Sequence, residues 1–296
     1  MKNLSNIPNK APRFAFFGTP QLAVVVLEEL EKAGFTPSLL ITRPDAPAGR
    51  GNTLTPPLTK TWAAARSIEI AQPEKVSAAF VAELAAKGPW DLFVVAAYGK
   101  ILPQSLLNIP RRGTLNVHPS LLPRLRGPSP IISAILTDDR ATGVSVMLLD
   151  AGMDHGPIVA QEEVRIKDWP PRADILEQTL AKAGGALLAK SFASWVEGEI
   201  EAIEQDHTKA TFCKMVQKED GLLDLDADPY QNLLKIRAFE GWPGTYTFFK
   251  RGDLIFRVQI LDAHQGADGA LAIDTVRPEG KRDMPYADFL RSGALP

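Results

Sequence analysis

Short apolar runs alternate with helical periods across the first half of the chain, and no other feature restricts its fold so strongly. RFAFFG, Arg13 to Gly18, is a continuous apolar run ending in a turn residue, as a strand buried on both faces requires. TPQLAVVVLEELEKAGF follows with apolar positions at helical spacing; Thr19 stands as N-cap, Pro20 as the first helical residue and Gly34 as the stop. The pattern repeats through SLLIT (Ser38 to Thr42), a helix over Thr59 to Arg66, SIEIA (Ser67 to Ala71), a helix over Ser77 to Lys87, and DLFVVAA (Asp91 to Ala97). TLNVH (Thr114 to His118), GVSVMLLD (Gly143 to Asp150) and PIVAQEEVRI (Pro157 to Ile166) read as further strands. Apolar strands alternating with helices imply an α/β fold with a doubly wound, mostly parallel sheet covered on both faces. In such sheets ligands bind outside the carboxyl ends of the strands.

The texture changes after a long helix expected over Ala173 to Glu197. The charged stretch EGEIEAIEQDHTKA reads as a linker over residues 198–209. Beyond it GTYTFFK, DLIFRVQIL and GALAIDTV are short β-type runs between turn residues, with one helix around Pro229 to Phe239, which together suggest a small OB-like β-barrel over 210–296. With 296 residues, 45% of them hydrophobic, two domains each have enough apolar material for a core. The polar opening and the absence of any run of about 20 apolar residues place the chain in the cytoplasm. The single cysteine, Cys213, excludes an intramolecular disulfide framework and a cysteine-based zinc cluster. A net charge of −2 gives no global pull toward nucleic acid, so a polyanionic partner needs a local basic patch.

Asn116 and His118 lie two apart at a strand's carboxyl end, so both side chains project from one face. A carboxamide that donates to a developing oxyanion, beside an imidazole that takes a proton, suits acyl transfer to an amine. A histidine that merely caps the strand is the bland alternative. In LLDAGMDHGPI, Leu148 to Ile158, two glycines bracket Asp154 in a loop after another strand. A carboxylate there could orient His118 and stabilise its cation, or could be an ordinary turn aspartate. His155 is the competing imidazole, whereas His207 and His264 read as structural.

LNVHPSLLPRLRGPSPI followed by TGVSVMLLDAGMDHGPI resembles, in residues, order and spacing, the paired active-site segments of the 10-formyltetrahydrofolate-dependent formyltransferases. Within that family, FGTPQLA, RPDAPAGRGNTLTPPLTK (Arg43 to Lys60), AYGKILP, KEDGLLDLD and IRAFEGWPGTYT resemble the branch that acts on methionyl-tRNA. The resemblance covers nearly the whole chain. It implies a Rossmann-like catalytic domain over 1–197 and a C-terminal domain over 210–296 that helps hold tRNA. It further implies formyl transfer from 10-formyltetrahydrofolate to the α-amine of methionyl initiator tRNA, without a metal. Asn116, His118 and Asp154 match the family's catalytic three. Ser120, Leu121, Leu122 and Pro123 match a folate-contacting turn whose backbone groups and apolar surface grip the co-substrate, and Tyr98, Gly99, Ile101 and Leu102 line the same pocket.

Arg43 and Arg50 are the expected RNA contacts, Arg50 matching the tRNA-reading arginine of the family. Ala46, Asn52 and Thr53 stand where the family commonly carries basic residues, so fewer phosphate contacts are expected. Leu125 likewise replaces a common aromatic. Acidic side chains slightly outnumber basic ones from His207 onward, so a charged stripe has to come from candidates such as Lys214, Lys218, Lys235, Arg237, Lys250 and Arg251, unless these are ordinary solvated charges. Nothing in the sequence marks an interface, and a monomer is expected. Three rivals remain: an amino sugar nucleotide formyltransferase, which needs neither the RPDAPAGRG insertion nor the GWPGTYT module; a phosphoribosylglycinamide formyltransferase, for which one domain suffices; and a non-catalytic tRNA- or folate-binding protein.

Overall fold

The computed structural model describes residues 12–48, 51–291 and 293. Its elements run β1 (Phe14–Gly18), α1 (Gln21–Lys32), β2 (Leu39–Ile41), β3 (Ala46–Ala48), β4 (Thr53–Thr55), α2 (Leu58–Ala64), β5 (Glu69–Ala71), α3 (Ala78–Ala86), β6 (Leu92–Ala96), α4 (Gln104–Leu107) and β7 (Thr114–His118). They continue with α5 (Pro130–Leu136), β8 (Thr142–Leu148), β9 (Ile158–Val164), α6 (Ala173–Glu197), α7 (Pro229–Ala238), β10 (Thr245–Arg251), β11 (Leu254–Gln265), β12 (Leu271–Pro278), β13 (Met284–Pro285) and α8 (Tyr286–Leu290).

Seven strands form one sheet in the order β5-β2-β1-β6-β7-β8-β9. From β5 to β7 every pairing is parallel; β8 runs antiparallel to β7, and β9 antiparallel to β8. The chain leaves β1 toward β2 on one side and returns to β6 on the other, so the crevice that accepts ligands opens at the carboxyl ends of β1 and β6. Gly18 ends β1 there, and a Cβ on it would fall 2.8 Å from the Ala96 carbonyl oxygen. Only glycine lets the two strand ends approach so closely.

The helices expected from the sequence form, with one exception in detail, beside three short ones, α4, α5 and α8, that its periodicity does not announce. Ser77 caps α3 by accepting from the Phe80 N–H at 3.3 Å, and Gly34, at φ +85°, stops the chain after α1. Thr19 is not the N-cap of α1. Pro20 takes that place with ψ −176°, so its extended backbone delays the first helical residue to Gln21. Helix α6 covers one face of the large sheet: a Cβ on Gly184 would lie 2.5 Å from Val117 Cγ1. Val117 therefore faces α6, and Asn116 and His118, its alternating neighbours on β7, face the other way.

The chain divides into two compact units. One draws on residues up to Pro128, Thr142–Val164 and Glu177–Phe212, the other on Ser129–Ala141, Arg165–Leu176 and the chain from Cys213. The stretch expected as a linker does not run free: Ile203 pairs with Ile158 beside β9, and Gln205 is buried within the first unit. In the second unit β10 to β13 form a four-stranded antiparallel sheet in sequence order. Phe249, Val258, Ile260, Val276 and Phe289 pack there with Leu233 and Ile236 of α7. No helix among the described residues is long and apolar enough to cross a membrane.

Candidate active site

His118 is buried at the end of β7, and its ring is fixed from two sides. Nε2 lies 3.0 Å from the Leu125 carbonyl oxygen. A carbonyl only accepts, so the neutral ring carries its hydrogen on Nε2 and leaves the Nδ1 lone pair free. Nδ1 faces Asp154 Oδ2 at 3.7 Å. That separation is too long for a hydrogen bond and short enough for the carboxylate to stabilise a proton arriving at Nδ1. Asn116, half-buried on the same face, has no hydrogen-bond partner for its carboxamide among the described residues. An unpaired amide next to an imidazole with a free lone pair and a carboxylate is a set able to polarise a carbonyl and accept a proton.

Asp154 reaches this position through a constrained loop. Its backbone is left-handed, φ +47°, a conformation that aspartate tolerates better than most residues. Gly156 lets the loop close against β8, where an added Cβ would lie 2.1 Å from the Leu148 carbonyl oxygen. The carboxylate is held by the Gly127 N–H at 2.7 Å to Oδ2. His155, the competing imidazole, pairs instead with Asp150 at 2.7 Å and stacks on His207, ring centroids 4.2 Å apart. His207 Nδ1 accepts from Arg126 Nη2 at 2.9 Å, which ties its ring to Arg126.

The Ser120–Pro123 turn is anchored by residues that sequence reasoning passed over. Ser145 of β8 sits directly opposite His118, and Gln161 of β9 directly opposite Ser145, so the three side chains form one row on the site face. Ser145 Oγ donates to the Ser120 carbonyl at 2.7 Å and accepts from the Leu122 N–H at 3.1 Å. Gln161 Nε2 donates to Ser145 Oγ at 2.8 Å and to the Leu122 carbonyl at 2.9 Å. Most backbone groups of the turn are therefore spent within the protein rather than offered to a ligand, contrary to expectation. The turn still presents the half-buried Leu121 side chain, which passes over Gly143. No motif signals Ser145 or Gln161, because their partners are brought close only by strand pairing.

The 98–102 segment divides in two. Tyr98 and Leu102 root it in the apolar core beside Phe17, whereas Gly99 and Ile101 face outward, Ile101 being 94% exposed. The Tyr98 hydroxyl is buried without a partner among the described residues, and burial pushes its pKa up to about 12. Arg43 does not stand free for RNA. Its Nε donates to the Tyr98 carbonyl at 3.2 Å and Nη2 to the Gly99 carbonyl at 2.6 Å, which joins the two loops. Gly99, at φ +71°, leaves the space the guanidinium occupies. Arg50 lies outside the described residues. Of the C-terminal cations, Arg237 pairs with Asp262 at 3.1 Å and Lys235 donates to the Leu222 carbonyl at 3.3 Å.

Residues 12–191 match the family model described as "Formyl transferase". The methionyl-tRNA formyltransferase of Chloroflexus aurantiacus is 44% identical over 266 residues, which cover 89% of this chain and 84% of that protein. Among solved structures, the methionyl-tRNA formyltransferase from Clostridium thermocellum superposes with a TM-score of 0.60 at 14% identity, over 90% of this chain and 98% of that one. A sugar N-formyltransferase from a Shewanella species gives the same TM-score, 0.60, at 19% identity, over 89% of this chain and 96% of that one. The backbone is thus equally like enzymes with different acceptors, and at these identities the likeness speaks for the fold alone.

Proposed function

The chain belongs to the formyl transferase family, and from that premise we propose that it moves the formyl group of 10-formyltetrahydrofolate onto the α-amine of methionyl initiator tRNA. The observation that carries the chemistry is His118 Nδ1 facing the Asp154 carboxylate, with the unpartnered Asn116 amide on the same face of β7. The tRNA acceptor rests on the 44% identity over 89% of the chain, a degree of likeness the sugar-acting structure does not approach.

The donor site fits a folate on two grounds. The exposed Ile101 and the half-buried Leu121 offer apolar surface to a flat ring, and Asn116 offers amide hydrogens with no competing acceptor. The bound donor supplies an activated formyl carbon. Asn116 then donates to the formyl oxygen as negative charge gathers there, a contribution of roughly 3 kcal/mol. The methionyl amine, with an ordinary pKa near 8, attacks the formyl carbon as the free base. His118 accepts the amine proton at Nδ1 while Asp154 stabilises the imidazolium, worth about 10² to 10⁴ in rate. Cleavage of the bond to the folate nitrogen completes the exchange, and the proton held on His118 is available to that nitrogen.

In this reading the first compact unit carries the chemistry. The segment around Arg50 and the β-rich unit hold the RNA, and the reaction runs in the cytoplasm on a single chain. The reading is tested by transfer of labelled formyl from 10-formyltetrahydrofolate to methionyl initiator tRNA, methionyl elongator tRNA and an amino sugar nucleotide in parallel. Label in initiator tRNA alone is the expected result. Label in the sugar nucleotide alone leaves the chemistry standing and removes the tRNA assignment.

A further inference from the structure

The polar stretch between α6 and the second unit touches Asp154 and the loop whose backbone holds His118. Gln205 is only 5% exposed, and its amide is fully used. Nε2 donates to the Asp154 carbonyl at 3.0 Å and to the Gly156 carbonyl at 2.7 Å. Oε1 accepts from Arg126 Nε at 3.1 Å and Nη2 at 2.6 Å. These bonds use both N–H groups and both lone pairs of the amide.

On either side of Arg126, backbone groups hold the pair itself. The Leu125 carbonyl accepts from His118 Nε2, and the Gly127 N–H donates to the Asp154 carboxylate. Six residues further along, Thr211 binds the same loop, accepting from the Leu125 N–H through Oγ1 at 2.8 Å and from the Arg126 N–H through its carbonyl at 2.9 Å. We propose that Gln205 is a positioning residue of the formyl-transfer centre, which fixes the distance between His118 and Asp154 by tying the Asp154 loop to the Arg126 loop. This rests on the reading of His118 and Asp154 as the proton-handling pair. Asp154 sits in a left-handed backbone that costs energy unless its surroundings enforce it, and the two carbonyl bonds from Gln205 supply that enforcement.

The competing role is simpler: a neutral acceptor for a buried arginine. Gln205→Glu separates the two, because its carboxylate serves Arg126 better while placing oxygen against the Asp154 and Gly156 carbonyls. Wild type, Gln205→Met, Gln205→Glu, Asp154→Asn and the Gln205→Met/Asp154→Asn double variant are compared in formyl transfer to methionyl initiator tRNA, with thermal melts of each. The expected result is a kcat lower by on the order of 10- to 100-fold in Gln205→Met, with the KM for either substrate changed less than about twofold. Gln205→Glu is impaired at least as much although its melt stays near wild type, and it carries the test if Gln205→Met fails to fold. In the Asp154→Asn background, Gln205→Met costs less than about threefold more, because both act through one group.

Wild-type kcat in Gln205→Glu, or losses that multiply in the double variant, overturn the proposal and leave the pair intact. If Asp154→Asn itself retains full kcat, the reading of the pair falls and takes this inference with it.

Discussion

Replacing Ser145 by alanine removes one oxygen from a fully buried site and disconnects the turn after β7. The hydroxyl serves three partners: the Ser120 carbonyl, the Leu122 N–H and Gln161 Nε2. Gln161 keeps a second acceptor in the Leu122 carbonyl, so two backbone groups are stranded. At about 1–3 kcal/mol for each buried group left unpaired, the variant loses roughly 2–6 kcal/mol. For a unit of this size that corresponds to a fall in melting temperature of roughly 4–24 °C. The same loosening frees Leu121, so the KM for 10-formyltetrahydrofolate rises on the order of tenfold while the acceptor's KM holds. Differential scanning calorimetry and initial-rate assays at saturating tRNA read the two effects. A melt within about 2 °C of wild type together with an unchanged folate KM refutes the inference that Ser145 holds the turn.

Two further perturbations address the loops. Burial pushes the Tyr98 phenol up to about 12 while the unfolded side chain ionises near 10. Its contribution to stability is therefore complete below pH ~10 and declines, by up to roughly 3 kcal/mol, as the pH rises toward 12. Tyr98→Phe abolishes that alkaline loss and, by deleting a buried unpaired hydroxyl, stabilises the protein by about 1 kcal/mol at neutral pH. Urea midpoints between pH 8 and 11 measure both, and parallel pH profiles for the two proteins contradict the burial of a lone hydroxyl. Gly156→Ala forces the Asp154 loop away from the Leu148 carbonyl and lowers kcat on the order of 10²-fold. An active alanine variant shows that the loop has room the structure does not display.

Periodicity and local chemistry make the candidate centre legible in the sequence. N-x-H on a strand puts two side chains on one face whatever the tertiary context, and glycines around Asp154 announce a tight loop. β7 to β9 were readable as strands, but their antiparallel order was not, since it depends on where the chain turns back. Helix α5 and the β3–β4 hairpin lie in Pro-rich stretches whose composition resembles loop. Thr19 was the natural N-cap by residue type, and one extended proline moved the helix start. The least legible residues were Ser145, Gln161 and Gln205, each bonded to backbone groups far off in sequence. The segment carrying Gln205 has the polarity of a linker, yet that polarity serves buried hydrogen bonds.

The roles of His118 and Asn116 are read by single-turnover formyl transfer to methionyl initiator tRNA by wild type, His118→Ala and Asn116→Ala, each with its melting curve and folate affinity. The expected result is a chemical step slowed by roughly 10²- to 10⁴-fold without His118 and by about 10²- to 10³-fold without Asn116, with folding and folate binding retained. A His118→Ala protein that transfers formyl within about threefold of wild type contradicts it, because His118 is then not the proton acceptor.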